Sequence, residues 1–258
     1  MKKIYFAALA LALTACVSNE DLNPVDNYGY IDLNVSNDPI VETRATRTGE
    51  NINSWNVEVK KDSETKYTGT VGNLANRSFA EGENYSLTVY SCTEAEAIKD
   101  YGQARWEGST TQTFSVVRGV TSPVSIYCGA AKNSKVGATF SLTNNFSNYK
   151  ITLDPTTRNL DIKDATTFAY FPAVTLSFKF TYDYTDPSGQ KFTGKYLENS
   201  ITCVAGKLHL INIQSDENGK ITLTLNYEDF TEGNGKIITF NAATGEKVSE
   251  TNTTPPHT

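Results

Sequence analysis

Few residues in this chain have side chains that could do chemistry. Away from the N-terminus the strong nucleophiles and soft ligands are Cys92, Cys128, Cys203, His209 and His257. No C-x-x-C pair occurs, and two distant histidines do not complete a zinc site. A Ser-His-Asp triad would have to use His209. That residue lies in Lys207-Leu208-His209-Leu210, which reads as a strand with the histidine on its polar, solvated face. G-x-S-x-G, H-E-x-x-H, P-loop and dinucleotide motifs are missing. The adjacent acids Glu228 and Asp229 could hydrolyse a glycoside only at a separation that sequence does not set, and they read as solvated. Asp216-Glu217-Asn218-Gly219 lacks the ligand spacing and terminal bidentate glutamate of a calcium loop, so it reads as a hairpin turn. The reading is therefore no catalytic residue, no metal and no cofactor. Tyr101, Trp106 and Tyr127 remain as candidate ligand-facing aromatics that could stack on sugar rings, with Tyr127 on the polar-phase face of its strand.

The elements that would position these residues are strands. In Leu176-Ser177-Phe178-Lys179-Phe180-Thr181-Tyr182-Asp183-Tyr184 every second residue is large and apolar. A helix would scatter these five side chains around its circumference, whereas a strand puts them on one face. Burying that face is worth roughly 1.5–3 kcal/mol per side chain before entropy is counted. Similar alternation marks 29–35, 55–59, 85–89, 124–128, 136–142 and 221–227. Asp186-Pro187-Ser188-Gly189 and Asn218-Gly219 are turn signals. Glu94 to Tyr101 holds the one helical turn. Short strands at about ten-residue spacing predict an all-β fold of two consecutive β-sandwich domains. The boundary falls in Gly129 to Ser134, giving an N-terminal domain at 28–132 and a C-terminal domain at 133–248. Residues 249–258 are expected to be a flexible tail. Ser36 to Asn53 has no periodicity, carries Arg44 and Arg47, and reads as a mobile loop.

Alternation also bears on the cysteines. Tyr85, Leu87 and Val89 are apolar at odd positions, which puts Cys92 on the outward face. Cys128 shares the inward face of Val124 and Ile126. Opposite faces are bridged only across a bulge, so periodicity argues against a Cys92–Cys128 disulfide without settling it. The formal net charge is −6, and no basic cluster offers a footprint for nucleic acid.

At the N-terminus, Met1-Lys2-Lys3 precedes an uncharged apolar run from Ile4 to Leu13, too short to span a bilayer. Leu13-Thr14-Ala15-Cys16 resembles the bacterial lipobox. The resemblance implies a signal peptide at 1–16, lipid attachment (palmitate) at Cys16, and a tether at 17–27 with the membrane as partner. Val17 in place of Asp points to the outer membrane, and Ser18-Asn19-Glu20-Asp21 resembles the surface-export signal of Bacteroidetes lipoproteins.

Further segments extend this pattern: Gly29-Tyr30-Ile31-Asp32-Leu33, Glu83-Asn84-Tyr85-Ser86-Leu87-Thr88-Val89, Val124-Ser125-Ile126-Tyr127-Cys128, Asn133-Ser134-Lys135-Val136 and Ala169-Tyr170-Phe171-Pro172. In this order they resemble an uncharacterised two-domain branch of the fimbrillin-like lipoproteins. The resemblance implies sandwiches of transthyretin-like or immunoglobulin-like topology. It also implies a non-catalytic, lipid-anchored surface protein acting in adhesion or as a pilus (fimbria) component. Its partners would be other subunits or host or bacterial surface ligands. It further implies proteolytic processing after an arginine, for which Arg44 and Arg47 are the candidates. The alternative is a glycan-binding lipoprotein that assists polysaccharide uptake at the outer membrane.

Overall fold

The computed structural model describes residues 27–36, 51–227 and 235–253. Cys16, Arg44, Arg47, Glu228, Asp229, His257 and the tether 17–26 lie outside the described residues, as does all of the 36–53 loop except its two ends. In chain order the first half contains β1 (Tyr28–Ser36), β2 (Asn56–Lys61), β3 (Glu64–Thr70), α1 (Val71–Leu74), β4 (Ser78–Ala80) and β5 (Gly82–Tyr90). It continues with α2 (Glu94–Ile98), β6 (Glu107–Ser109), β7 (Phe114–Val116) and β8 (Thr121–Tyr127). The second half contains β9 (Ser134–Ser141), β10 (Phe146–Leu153), β11 (Leu160–Ile162), β12 (Phe168–Phe171), β13 (Thr175–Thr185) and β14 (Lys191–Thr202). Its last strands are β15 (Leu208–Ser215), β16 (Lys220–Tyr227), β17 (Gly235–Asn241) and β18 (Lys247–Thr253). The protein is an all-β, multi-domain sandwich.

Each half has two sheets. The first pairs a sheet of order β4-β1-β8 with one of order β3-β2-β5-β6, in which β7 also joins β5. The second pairs β11-β10-β13-β14 with β12-β9-β15-β16-β17-β18. The buried side chains fall into two clusters. One runs from Ile31 to Ala131 and includes Trp55, Val57, Leu87 and Trp106. The other runs from Val136 to Ala242. Alternation explains both. In β13 the side chains of Leu176, Phe178, Phe180, Tyr182 and Tyr184 are all buried, while Lys179 lies over the Tyr196 ring on the outer face. The predicted helical turn is α2. Its N-cap Thr93 and Glu96 form a reciprocal capping box, which satisfies two backbone donors at that end.

Several expectations need correction. His209 is fully buried. The inward phase of β15 is odd-numbered, with His209 beside Val136 and Ile211 beside Ala138 in the parallel ladder to β9. Its Nε2 accepts the Val204 N–H at 2.9 Å, pinning the 203–207 turn to the strand. Cys92 is also buried, because β5 ends at Tyr90 and the outward phase does not reach it. Cys92, Cys128 and Cys203 are all free, buried thiols. Burial, aided by the Glu107 charge, pushes the Cys128 thiol up to about 11. Residues 249–253, expected in the tail, belong to β18, which pairs with β17. At the far end of the 36–53 loop, Ile52–Ser54 is a 3-10 turn leading into buried Trp55.

Two outcomes follow. Phe180→Asp should cost more than about 4 kcal/mol and unfold the second half, because it strands a charge in an apolar core. Lys179→Asp should cost no more than about 1 kcal/mol. Urea midpoints of the two variants check this. Burial also holds the His209 imidazole below its ordinary 6.5. The unfolded chain therefore binds a proton that the folded chain refuses, and stability is complete above that value and falls as pH drops through it. Carboxylates with lowered values begin to contribute only below about pH 5, so the interval from about 6.5 down to about 5 isolates the histidine. Thermal melts across it should show the slope, and His209→Leu should flatten it while lowering overall stability.

Candidate functional site

The feature most able to act on a partner is β1 and the slot that holds it. On one side β1 runs antiparallel to β4, with Tyr28 beside Ala80 and Tyr30 beside Ser78. On the other it runs parallel to β8 from the Tyr30–Thr121 pair to the Ser36–Tyr127 pair. Backbone bonds extend this contact at both ends. Gly119 N–H donates to Tyr28 O at 2.9 Å, Tyr30 N–H to Val120 O at 3.0 Å, and Cys128 N–H to Ser36 O at 2.8 Å. A residue in a parallel ladder bonds to the partners flanking its register position. Asp32 stands opposite Pro123, so residues 122 and 124 serve it, and the missing proline N–H faces away from β1. Ile31 is buried, and Leu33 and Val35 pack partly against the same core.

Gly29 shows how tightly the slot closes. A Cβ there would stand 2.3 Å from Val117 O and 2.9 Å from Val120 O, in the turn before β8. No side chain fits unless the backbone moves.

The aromatics read as a sugar platform do not come together. Trp106 is buried and stacks on Trp55 with centroids 5.9 Å apart. It enters the core because its backbone pairs with Ser91. Tyr101 is partly exposed, but its hydroxyl donates to Asp161 O at 2.7 Å, between the two halves. Tyr127 alone of the three is broadly exposed, at 60%. A concavity of about 620 Å³ at the opposite pole of the second half is lined by Thr143, Asn144, Asn145, Pro187, Glu217 and Asn218, without an aromatic ring.

Several acids of the described residues are engaged locally. Asp216 accepts the N–H groups of Asn218 and Lys220 and so shapes the hairpin turn, where Gly219 takes φ +78°. Hydroxyl and N–H donors of Thr166 and Thr167 hold Asp164 down to about 2. Asp183 and Asp186 are lowered by neighbouring side-chain and backbone donors. Carboxylates held low are poor general acids at neutral pH. Among the described residues no cluster of three or more His, Cys, Asp or Glu side chains could hold a metal. No helix among them is long and apolar enough to cross a membrane.

The joint between the halves carries residues that sequence reasoning missed. Asn133 is buried in the short connection between β8 and β9. Its Oδ1 accepts the Arg105 N–H at 3.0 Å, its Nδ2 donates to Gln103 O at 2.7 Å, and its carbonyl accepts the Gly206 N–H at 2.8 Å. Arg158, between β10 and β11, donates to the carbonyls of Asp100 and Tyr170 and lies over Phe171 at 4.4 Å. Tyr170 N–H donates to Tyr101 O at 2.8 Å, so the segment after α2 covers the outer edge of β12.

One family model matches residues 27–242, which includes β1, the joint and most of the second half. The chain belongs to the family described as Domain of unknown function (DUF4493). No curated protein matches the sequence significantly. Among solved structures, a protein of Bacteroides fragilis NCTC 9343 provisionally named for cell adhesion is 12% identical. That match covers 80% of this chain and 99% of that one at a TM-score of 0.35. A leucine-rich repeat protein of Bacteroides thetaiotaomicron VPI-5482 is 11% identical, covering 74% of this chain at a TM-score of 0.25. This DUF4493 chain spans only 26% of that protein. Superpositions at this level carry no functional argument.

Gly29→Val tests the slot. The added side chain should cost about 1–3 kcal/mol by overpacking against the 117–120 turn. Amide hydrogen exchange should quicken at Tyr30, Asp32 and Asn34 and stay unchanged in β13 and β16.

Proposed function

We propose that this DUF4493 protein is a non-catalytic surface protein of the outer membrane, anchored by lipid at Cys16, that works in adhesion or as a pilus-like subunit. The observation that carries the reading is the place of β1. It directly follows the tether and fills a central slot between β4 and β8. Residues 37–50, with Arg44 and Arg47, follow it. A cut after either arginine would leave β1 held only by its ladder and its side chains. Its departure would bare Phe79, Val124 and Ile126 together with unpaired backbone groups on both neighbours. An open edge of this kind takes up a strand from another chain, with backbone bonds for affinity and side-chain pockets for specificity. The resemblance to fimbrillin-like lipoproteins supports the same reading. The glycan alternative loses support, since Trp106 lies in the core and Tyr101 is used at the joint.

The decisive experiment has two arms. Cells producing the full chain or Cys16→Ala are fed a labelled fatty acid. The wild type should take up label and sediment with membranes, and label on the alanine variant would refute the anchor. In the second arm, the chain from residue 17 onward is treated with limiting trypsin and sized by chromatography. Cleavage at Arg44 or Arg47 followed by assembly supports strand exchange. A cut chain that stays a stable monomer removes the pilus-like reading and leaves a tethered adhesin.

A further inference from the structure

The two halves differ in how their ends meet a pulling force. In the first half the chain enters at the start of β1 and leaves at the end of β8, and these strands are parallel neighbours. Entry and exit therefore lie at opposite poles of one ladder. Pulling them apart drags β1 and β8 in opposite directions along their own axes. The bonds from Tyr28–Gly119 to Ser36–Cys128 are then loaded together. Sliding by a single residue would also carry Ile31, Leu33 and Val35 out of the core face.

The second half is wired differently. β9 enters and runs parallel to β15, and β16, β17 and β18 then alternate in direction. β18 therefore ends at the pole where β9 begins. It is an edge strand whose last residues pair with the start of β17, from Thr253 beside Gly235. Force between these ends peels β18 away one bond at a time.

We propose that the first half is a load-bearing clamp, with the β1–β8 ladder as its working element, and that its task is to carry tension between the N-terminal tether and whatever the remainder of the chain holds. The biological use of the clamp rests on the membrane anchor proposed above, while its mechanics do not. Three features fit the assignment. Gly29 lets the 117–120 turn close on the entry end of the ladder. Pro123 leaves the ladder to β1 complete while withholding a donor from the far edge of β8. Asn133 and Arg158 tie the exit end to the second half, so load leaving β8 passes into a pinned joint.

Single-molecule pulling tests the clamp without a membrane. The chain from residue 17 onward receives one handle at its N-terminus and a second on an introduced thiol. The native thiols are buried and do not compete. Lys132→Cys places the second handle beyond the end of β8 and loads the ladder in shear. Thr121→Cys places it beside Tyr30 and peels the same ladder. Both positions are exposed. If either variant has a lowered urea midpoint, Ala130→Cys and Arg118→Cys, also exposed, form the replacement pair. Forced unfolding is governed by the unfolding rate, so at equal loading rate the shear geometry should need about twofold more force or greater. Pulling from the N-terminus to the C-terminus should open the second half before the first. Equal forces in the two geometries, or the first half opening before the second, would overturn the clamp. Neither result bears on the anchor, which fatty-acid labelling decides.

Discussion

Two sheets can lie face to face only if every strand keeps one row of side chains dry, and the rest of this structure depends on that alternation. It places Val57, Val59, Leu87 and Val89 between the sheets of the first half, and Phe178, Phe180, Ile211, Ile213 and Leu223 between those of the second. A strand held to this rule has one permitted register, since a slip of one residue inverts its faces. Register then fixes which loops meet at each pole, and hence where the joint lies.

Polar groups secure what the apolar rows leave undetermined. Carboxylates at turns, such as Asp186 and Asp216, accept backbone donors and fix the hairpins. Asn133 spends its amide on Gln103 and Arg105, and its carbonyl on Gly206. A buried residue whose side chain bonds to one half and whose carbonyl bonds to the other makes them commit to one relative placement, because turning one would leave these groups without partners. The same joint shields the edge of β12, so the open edge of the six-stranded sheet is β18.

Much of this was legible in the residues. β13 and the β15–β16 hairpin follow directly from period-2 alternation and from Asp216 to Gly219. The failures have physical causes. His209 looked solvated because a histidine between two leucines reads as the polar position, yet the pairing of β15 with β9 put the odd-numbered residues inward. For Cys92, the alternation of β5 does not extend past Tyr90, so its phase says nothing about residue 92. Trp106 reads as a surface aromatic because the strand after it is only three residues long and shows no alternation. Asn133 and Arg158 had no local signal, since their partners come from distant segments. Gly29 did have one: a glycine within a strand marks the close approach of another backbone. The inter-sheet geometry and the joint were beyond reach, because they depend on contacts between segments far apart in sequence.

The parallel pairing of β1 also sets an order of events as the chain is made. Hairpins such as β2–β3 and β13–β14 close within a few residues and can form as soon as both strands exist. β1 cannot do this, because Tyr30 must wait for Thr121, about ninety residues later. β9 waits likewise for β15. β1, the first of the described strands, is thus among the last to complete its pairing: β4 meets only Tyr28 to Tyr30, and until β8 arrives its other edge has no partner. Nascent chains are most prone to stray association in such an interval, so a stall before residue 127 would be more hazardous than one after it.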